Sequence, residues 1–524
     1  MVPIVQQGSI NTTALVVPDL YVQIVPPQNL VLNGVPTNIL GVVGTASWGP
    51  VGQPVTVATM ADYAASFGPI IVRKYDMGTQ VATAVQQGAQ NFYCVRVTDG
   101  TDTAASVVVP STTITFTALY TGSTGNEIII TLGSGSRTGT WRLSVTLPGV
   151  APEVFDNLAG TGAPFWTALA AAVNQGQGVQ RGASQLITAN AGGATATPTP
   201  FSITLGSGAQ GSDGVGGVAA AQLVGADVVP RTGMYALRGL GCGLALLADA
   251  DDPTQWTVQA GFGLEEGIYM ILTGPAGDTI QNAVATKSQA GLDSYSAKLM
   301  FGDWLWWSDQ VNNTMRLVSP QGFAAGRLAN LSPEQSSLNK QLYGVIGSQK
   351  SGYPGSGQST SYSAAELTSL LEAGIDVISN PQPGGTYWGV RGGHNSSSDP
   401  SVDGDNYTRL TNYIAATLAA GMGTYVGHVI NSNLFQNIRS TLLSFLQNML
   451  NQGMLGSLDG SLPFSVICDQ TNNPLSRTSL GYVQADVQIQ YQGINEKFIV
   501  NVEGGQTVQV SQQTLPSGQP GASS

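Results

Sequence analysis

Short apolar runs separated by glycine, proline and small polar residues set the texture of this chain, and their period changes along it. Runs at 39–43 (ILGVV), 92–97 (FYCVRV) and 268–272 (IYMIL) are apolar at nearly every position, the pattern of strands buried on both faces. Helical spacing falls between them. A helix is expected over 60–67, with Thr59 as its cap and Gly68 as its stop, and another over 78–87, closed by Gly88. After a long interruption the alternation resumes at 243–247 (GLALL), with helices near 254–264 and 278–291 and a strand-like run over 297–307. Ser363 and Glu366 form a capping box opening a helix that ends at Gly374, and 376–379 follows as a strand. Strand–helix alternation of this kind predicts a mostly parallel sheet flanked by helices.

Two stretches break that rhythm. Residues 98–232 are rich in Thr, Ser and Gly, with short alternating runs such as SVVVPSTTITFTALY and WRLSVTL and one short helix over 165–173. This reads as an inserted β-rich domain that splits the α/β unit. The last 130 or so residues form another unit, with helices at 407–420 and 434–450. Residues 481–491 then alternate so that Val483, Val487 and Ile489 share one face, and strands are expected at 497–502 and 506–510.

Composition changes the picture in one respect. The hydrophobic fraction is 42%, but only 10% of residues are charged, where a soluble domain has about 25%. A neutral surface loses little hydration when covered, so the chain suits a protein that ends up surrounded by neighbours. A net charge of −12 with only 19 Lys and Arg excludes nucleic acid as an expected partner. Cys94, Cys242 and Cys468 cannot all pair within one chain, and each sits in an apolar run, which favours a reducing compartment. The opening residues lack a signal-peptide pattern, and no apolar run approaches the roughly 18 residues of a membrane span. Assembly in the cytoplasm without membrane insertion is therefore expected.

Catalytic patterns are missing. The two histidines, His394 and His428, lie near no GxSxG elbow, and there is no phosphate-loop motif. The acidic groups Asp249, Asp251, Asp252 and Asp399, Asp403, Asp405 lack the spacing of a calcium loop, and Trp304, Trp306 and Trp307 read as core or interface anchors. No cofactor, metal or enzymatic activity is expected. Composition alone leaves open a secreted or surface-displayed adhesin or S-layer-type protein; the odd cysteine count and the opening residues count against it.

Several blocks, in order, resemble the tail sheath proteins of contractile phages and related contractile injection systems. PDLYV at 18–22 and ILGVVGTASWGP at 39–50 look like that family's PGVYV and GxVGtAxxGP. Asp62-Tyr63, Phe67-Gly68 and Val95-Arg96-Val97 follow; YWGVR at 387–391 matches W-G-x-R; Arg409-Leu410 and Asn412-Tyr413-Ile414 match R-L-x-N-Y-I; Phe445-Leu446 and QGML at 452–455 look like FL…QGAL. Asp19 stands where glycine is common, and VINSN at 429–433 replaces F-E-P-N. The stretch 98–232 carries no match, as an insertion would.

The resemblance implies an α/β and α+β multidomain fold. Its parts would be an N-terminal arm (1–20), a first part of the core (21–97), the inserted β-rich outer domain (98–232), a subtilisin-like α/β domain without protease chemistry (233–380), a C-terminal α+β domain (381–505), and a C-terminal arm and tail (506–524). It implies a structural subunit that polymerises helically around a tail tube and contracts, with partners in itself, the tube, the baseplate and the tail terminator, located in a virion tail. Extended arms would complete a neighbour's sheet, through Ile10, Leu15, Val16 and Val17 at one end and Thr507, Val508 and Val510 at the other. The acceptor strands would include Val483, Val487, Ile489, Phe498 and Val500. Helix 434–450, carrying Arg439 as its only charge, is the candidate tube-facing element.

Overall fold

Strands Ile39–Gly44 and Leu244–Leu247 lie side by side and parallel, Leu40 opposite Leu244 and Val43 opposite Leu247, although all of 98–232 runs between them in sequence. The computed structural model describes residues 4–7, 21–24, 32, 34–110 and 112–502, and this pair is the middle of its seven-stranded sheet. Across the sheet the order is Ile375–Asp376, Ala297–Met300, Tyr269–Thr273, Leu244–Leu247, Ile39–Gly44, Asn91–Arg96 and Pro54–Val57. Neighbours are parallel except at Pro54–Val57, a short edge strand that begins with proline and runs antiparallel to Asn91–Arg96.

Both faces are covered, which explains why the central strands read as continuous apolar runs. Leu40, Val42, Leu244, Leu246 and Ile271 meet helices Met60–Phe67, Met77–Gln86 and Gln321–Ala329. On the opposite face Val43, Ala245, Leu247, Met270 and Leu272 pack with helices Trp256–Glu266, Ile280–Ala290 and Ala364–Glu372. The capping signals act where the sequence puts them. Thr59 accepts from the Asp62 amide, and Ser363 and Glu366 bond reciprocally.

Three elements depart from the pattern. The strand-like run 297–307 is two strands: Ala297–Met300 in the large sheet, and Leu305–Asp309 in a separate antiparallel sheet with Thr314–Val318 and Val345–Ser348. The break includes Gly302, where a Cβ would fall 2.0 Å from the Pro275 carbonyl oxygen, a backbone approach open only to glycine. The run 376–379 divides likewise, since Ile375–Asp376 ends the large sheet while Ile378–Ser379 pairs with Gly389–Val390. Helix Gln321–Ala329, for which no helix was expected, is buried at every position except Arg327. Gly322 and Gly326 let it approach Met77–Gln86, and a Cβ on Gly326 would lie 2.4 Å from the Ala84 Cα.

The order of strands reverses at the central pair, and beyond their carboxyl ends lies the crevice where open α/β sheets bind ligands. Here side chains fill it. Asp249, at φ +52°, accepts from the Tyr75 amide (3.2 Å) and from Gln80 Nε2 (2.9 Å). Gln80 also donates to Ser319 and accepts from the Gly322 amide, and Gln321 bonds the Asp249 amide and the Ile271 carbonyl. Asp76 caps Met77–Gln86 through the Thr79 amide (2.9 Å) and hydroxyl (2.7 Å). Burial pushes the Asp76 and Asp249 carboxyls up to about 6, against the opposing pull of their hydrogen bonds and nearby Arg316.

The inserted segment carries its own core. One antiparallel sheet has the order Glu153–Leu158, Trp141–Thr146, Ile129–Ser134, Phe201–Thr204; the other has Ile187–Asn190, Thr115–Ala118, Ser106–Val108. Helix Gly162–Gln175, longer than its sequence signal, buries Phe165, Trp166 and Leu169 with Phe116, Leu143 and Phe155.

The C-terminal helices Asp405–Met422 and Ser432–Asn451 share a further core built on Leu410, Ile414, Phe435, Leu442 and Phe445. A buried ion cluster ties the first of them to the large sheet. Lys298, fully buried in strand Ala297–Met300, donates to Asp376 (2.6 Å), Asp405 (3.0 Å) and the His394 carbonyl (2.9 Å). Tyr269 and Ser337 also donate to Asp405. Burial alone would raise the Asp405 pKa, but Lys298 and these hydrogen bonds outweigh it and hold the carboxyl below its usual value. The Lys298 ammonium is held above its usual pKa by the two carboxylates, which overcome its own desolvation.

Two outcomes follow from these buried charges. Lys298→Met leaves two carboxylates without their cation and is expected to destabilise the chain by about 3–5 kcal/mol in urea unfolding. Unchanged stability would mean the cluster is not held as described. Asp76 and Asp249 bind protons in the folded chain at a pH where the unfolded chain does not, so each adds stability as pH falls from about 6 towards 4. Thermal melts should therefore show the melting temperature rising between pH 7 and pH 5, with a flatter profile in Asp76→Asn and Asp249→Asn.

Candidate assembly surfaces

Helix Ser432–Asn451 begins at Asn431, whose side chain accepts from the Leu434 amide (2.9 Å). Its spacing divides it cleanly. Leu434, Phe435, Ile438, Leu442, Phe445, Leu446 and Met449 are buried, while Gln436, Asn437, Arg439, Ser444, Gln447 and Asn448 are exposed. One face is therefore core, and the other is a neutral amide and hydroxyl stripe interrupted only by Arg439.

Against the buried face lies a sheet of two antiparallel strands, Phe464–Ile467 and Asp486–Ile489, with Phe464 opposite Ile489 and Val466 opposite Val487. Phe464 and Val466 are buried; Val487 and Ile489 pack partly on the same core; Ser465 and Gln488 point outward and bond each other at 3.1 Å. The second strand is shorter than the alternation over 481–491 suggests. Val483 still packs on the core, but the backbone of Gln484 bonds the Asn473 side chain rather than another strand. Among the described residues neither outer edge of this sheet carries a further strand. Each edge presents backbone groups able to pair with an added strand. Leu475, Leu480 and Tyr482, between the two strands in sequence, are exposed.

Residues from Gly493 onward form a separate unit. The strand expected over 497–502 is not formed, and Phe498 is 83% exposed, with Ile499, Val500 and Val502 also exposed. Among the described residues Phe498 and Val500 lie in no strand, since the N–H and C=O groups of a strand need a partner and none is formed there. At the other end, Ile4–Gln7 and Tyr21–Ile24 pair in parallel. The arm residues Ile10, Leu15, Val16 and Val17, and Thr507, Val508 and Val510, lie outside the described residues.

The residues considered for chemistry are dispersed. Asp251 pairs with Lys74 at 2.8 Å and Asp252 caps Thr254, whereas Asp249 is in the filled crevice. Asp399 caps Ser401, Asp403 lies 3.6 Å from His394 Nδ1, and Asp405 serves Lys298. Among the described residues no group of His, Cys, Asp and Glu has the arrangement of a metal site, and no helix is long and apolar enough to cross a membrane. Trp307 is buried and bonds Gln86, while Trp304 donates to the Gly274 carbonyl. A cavity of about 600 Å³ lies off the ends of Tyr269–Thr273 and Ala297–Met300, lined by Phe301, Asp303, Lys350, Tyr362 and Glu366, among others. Its charged groups are mutually engaged, with Lys350 on Glu366 (2.7 Å) and Tyr362 on Asp303 (2.8 Å).

No family model matches the sequence, and no curated protein matches it. Solved structures do. A sheath tail protein from Desulfitobacterium hafniense superposes with a TM-score of 0.55 at 14% identity, over 85% of this chain and 92% of that one. A sheath tail protein from Listeria innocua gives 0.57 at 13% identity, over 84% and 90%. The PVC sheath of an extracellular contractile injection system, in its contracted state, gives 0.54 at 12% identity, over 94% of this chain and 98% of that one. The similarity runs through nearly the whole of each of these chains, and the fold of this protein is the fold of the contractile tail sheath proteins.

Proposed function

We propose that this protein is a structural subunit of a contractile tail sheath, which polymerises helically around a tail tube and contracts to drive the tube through a host envelope. The observation that carries the proposal is the two-stranded sheet Phe464–Ile467/Asp486–Ile489, supported on one face and, among the described residues, open at both edges, in a chain whose Phe498-Ile499-Val500 segment exposes its apolar side chains. An open edge and an unpaired apolar segment in the same chain are complementary between copies: one subunit's segment pairs with another's sheet. That similar structures include sheath and baseplate assemblies supports a subunit that associates with copies of itself.

In this reading Val483, Val487 and Ile489 belong to the acceptor. Phe498 and Val500, first read as acceptors, act as donors continuous with the C-terminal arm Thr507, Val508 and Val510, and the N-terminal arm Ile10–Val17 supplies the second strand. The outer face of Ser432–Asn451, with Arg439, faces the tube. Residues 98–217 form the outer domain, the expected boundary at 232 falling too late because Val218, Ala220, Leu223 and Val224 pack on the large sheet; 233–380 form a subtilisin-like domain without protease chemistry, and 381–505 the C-terminal domain. Baseplate and tail terminator bound the polymer at its ends, and assembly takes place in the host cytoplasm.

Magnitudes limit what one arm does. Five main-chain bonds give roughly 3–7 kcal/mol, and ordering five residues costs about 5–10 kcal/mol. Burying Phe498, Ile499 and Val500, at about 1.5–3 kcal/mol each, leaves a net gain of only a few kcal/mol. Isolated subunits therefore pair weakly, and the tube and baseplate template assembly.

Negative-stain electron microscopy of the purified chain, co-expressed with its tube protein, tests this. Hollow striated cylinders are expected from the full chain. Removing residues 1–17, or introducing Phe498→Asp with Val500→Asp, should abolish them while the monomer's melting temperature stays the same, because Phe498 and Val500 are exposed. Cylinders from the double variant would sink the donor role, and flat lattices from the full chain would favour an S-layer-type protein.

A further inference from the structure

Trp48 sits in the loop that follows strand Ile39–Gly44, so by sequence it belongs to the core sheet. Its side chain does not. At 1% exposure it is part of the hydrophobic core of the inserted segment, packed with Ala105, Phe116 and Ile128. Its ring meets Tyr120 edge-on at 5.3 Å. The backbone is shaped to receive it. Gly122 has φ +127°, and a Cβ there would lie 2.1 Å from the Ser47 carbonyl oxygen; a Cβ on Gly125 would lie 3.2 Å from the Trp48 ring.

Polar contacts surround this plug. The Ser47 and Thr124 hydroxyls meet at 2.8 Å, and the Thr124 amide donates to the Ser47 carbonyl. Arg96, buried at the end of strand Asn91–Arg96, donates to the Gly49 carbonyl (2.8 Å) and the Thr121 carbonyl (2.7 Å), and so bridges the Trp48 loop to the inserted segment. Arg73 of the core binds Asp213, which also accepts from the Ser123 amide at 2.7 Å. Two chain crossings alone would leave the inserted segment free to swing, since relative motion is the usual state of domains joined by a small polar interface. A buried indole flanked by hydrogen bonds that cross between the two parts removes that freedom.

We propose that Trp48 is a positioning residue that locks the inserted segment to the core sheet, so that the two move as one rigid body. The inserted segment is then an arm of fixed angle on each subunit, and any change in the core's orientation carries it along without a hinge at 97–105 or 205–218. This does not depend on the sheath reading and holds for the isolated chain.

Pulsed electron–electron distance measurement tests it. Thr138, on an exposed turn of the inserted segment, and Ser288, exposed on helix Ile280–Ala290, are replaced by cysteine and spin-labelled. The native Cys94, Cys242 and Cys468 are buried and do not compete for label. The labelled chain is diluted with unlabelled protein so that only intramolecular distances are read. A single narrow distribution is expected in the parent chain, broadening about twofold or more in Trp48→Ala. Trp48→Phe, which keeps an aromatic ring, should restore most of the narrowness. A broad distribution in the parent chain would overturn the rigid-body proposal, and an equally narrow one in Trp48→Ala would overturn the role of Trp48. Should Trp48→Ala fail to melt cooperatively, Gly122→Ala reads the same lock, because its Cβ must push the Ser47 loop away; an unchanged distribution there overturns the lock.

Discussion

The parallel pairing of Ile39–Gly44 with Leu244–Leu247 is the contact on which the rest of the structure depends. It closes the chain over the whole inserted segment, sets the point where strand order reverses, and gives both faces of the sheet their apolar rows. A one-residue slip would exchange those rows between faces, sending Leu40 and Val42 to the side that now receives Val43. The register is therefore fixed by two separate cores at once, one built on Met60–Phe67, Met77–Gln86 and Gln321–Ala329, the other on Trp256–Glu266, Ile280–Ala290 and Ala364–Glu372. Because the crevice beyond this pair is filled by Asp249, Gln80, Ser319 and Gln321, the place where such a sheet would hold a ligand serves packing instead.

Charge is scarce in this chain, and an unexpected share of it lies inside. Lys298, Arg96 and Arg409 are buried, and each donates to carboxylates or backbone carbonyls. Each joins parts of the chain that sequence keeps apart: Lys298 the sheet and the C-terminal helix, Arg96 the sheet and the inserted segment. Buried ions of this kind fix relative orientation more than they add net stability. The outer faces, in contrast, are amide- and hydroxyl-rich, as on Ser432–Asn451, and lose little on being covered. Rigid interior joints and a thinly charged exterior suit a subunit that keeps its shape while its neighbours change position around it.

The C-terminal sheet has the opposite character. Among the described residues, two strands against one helix leave two open edges, and the segment that follows exposes the apolar side chains of Phe498, Ile499 and Val500.

The apolar periods alone located the alternation of strands and helices, the capped helices Met60–Phe67 and Ala364–Glu372, and the amphipathic helix Ser432–Asn451, because caps and periodicity are local properties that act over a few residues. The low charge pointed to a surface that is easily covered, and the ordered motif blocks to a resemblance with sheath proteins, whose fold the solved structures share. Only the tertiary structure decided the rest. That helix Gln321–Ala329 is buried at every position but Arg327, against Met77–Gln86, came only from the packing. The run 297–307 breaks because Gly302 must pass close to Pro275. Residues 497–502 have strand composition but no strand, since a strand is completed by a neighbour that no local pattern encodes. Trp48 belongs to a core that begins dozens of residues later, and nothing near it in sequence could say so. Local patterns set which elements form; which faces they bury, and which edges stay open, depends on contacts made across the whole chain.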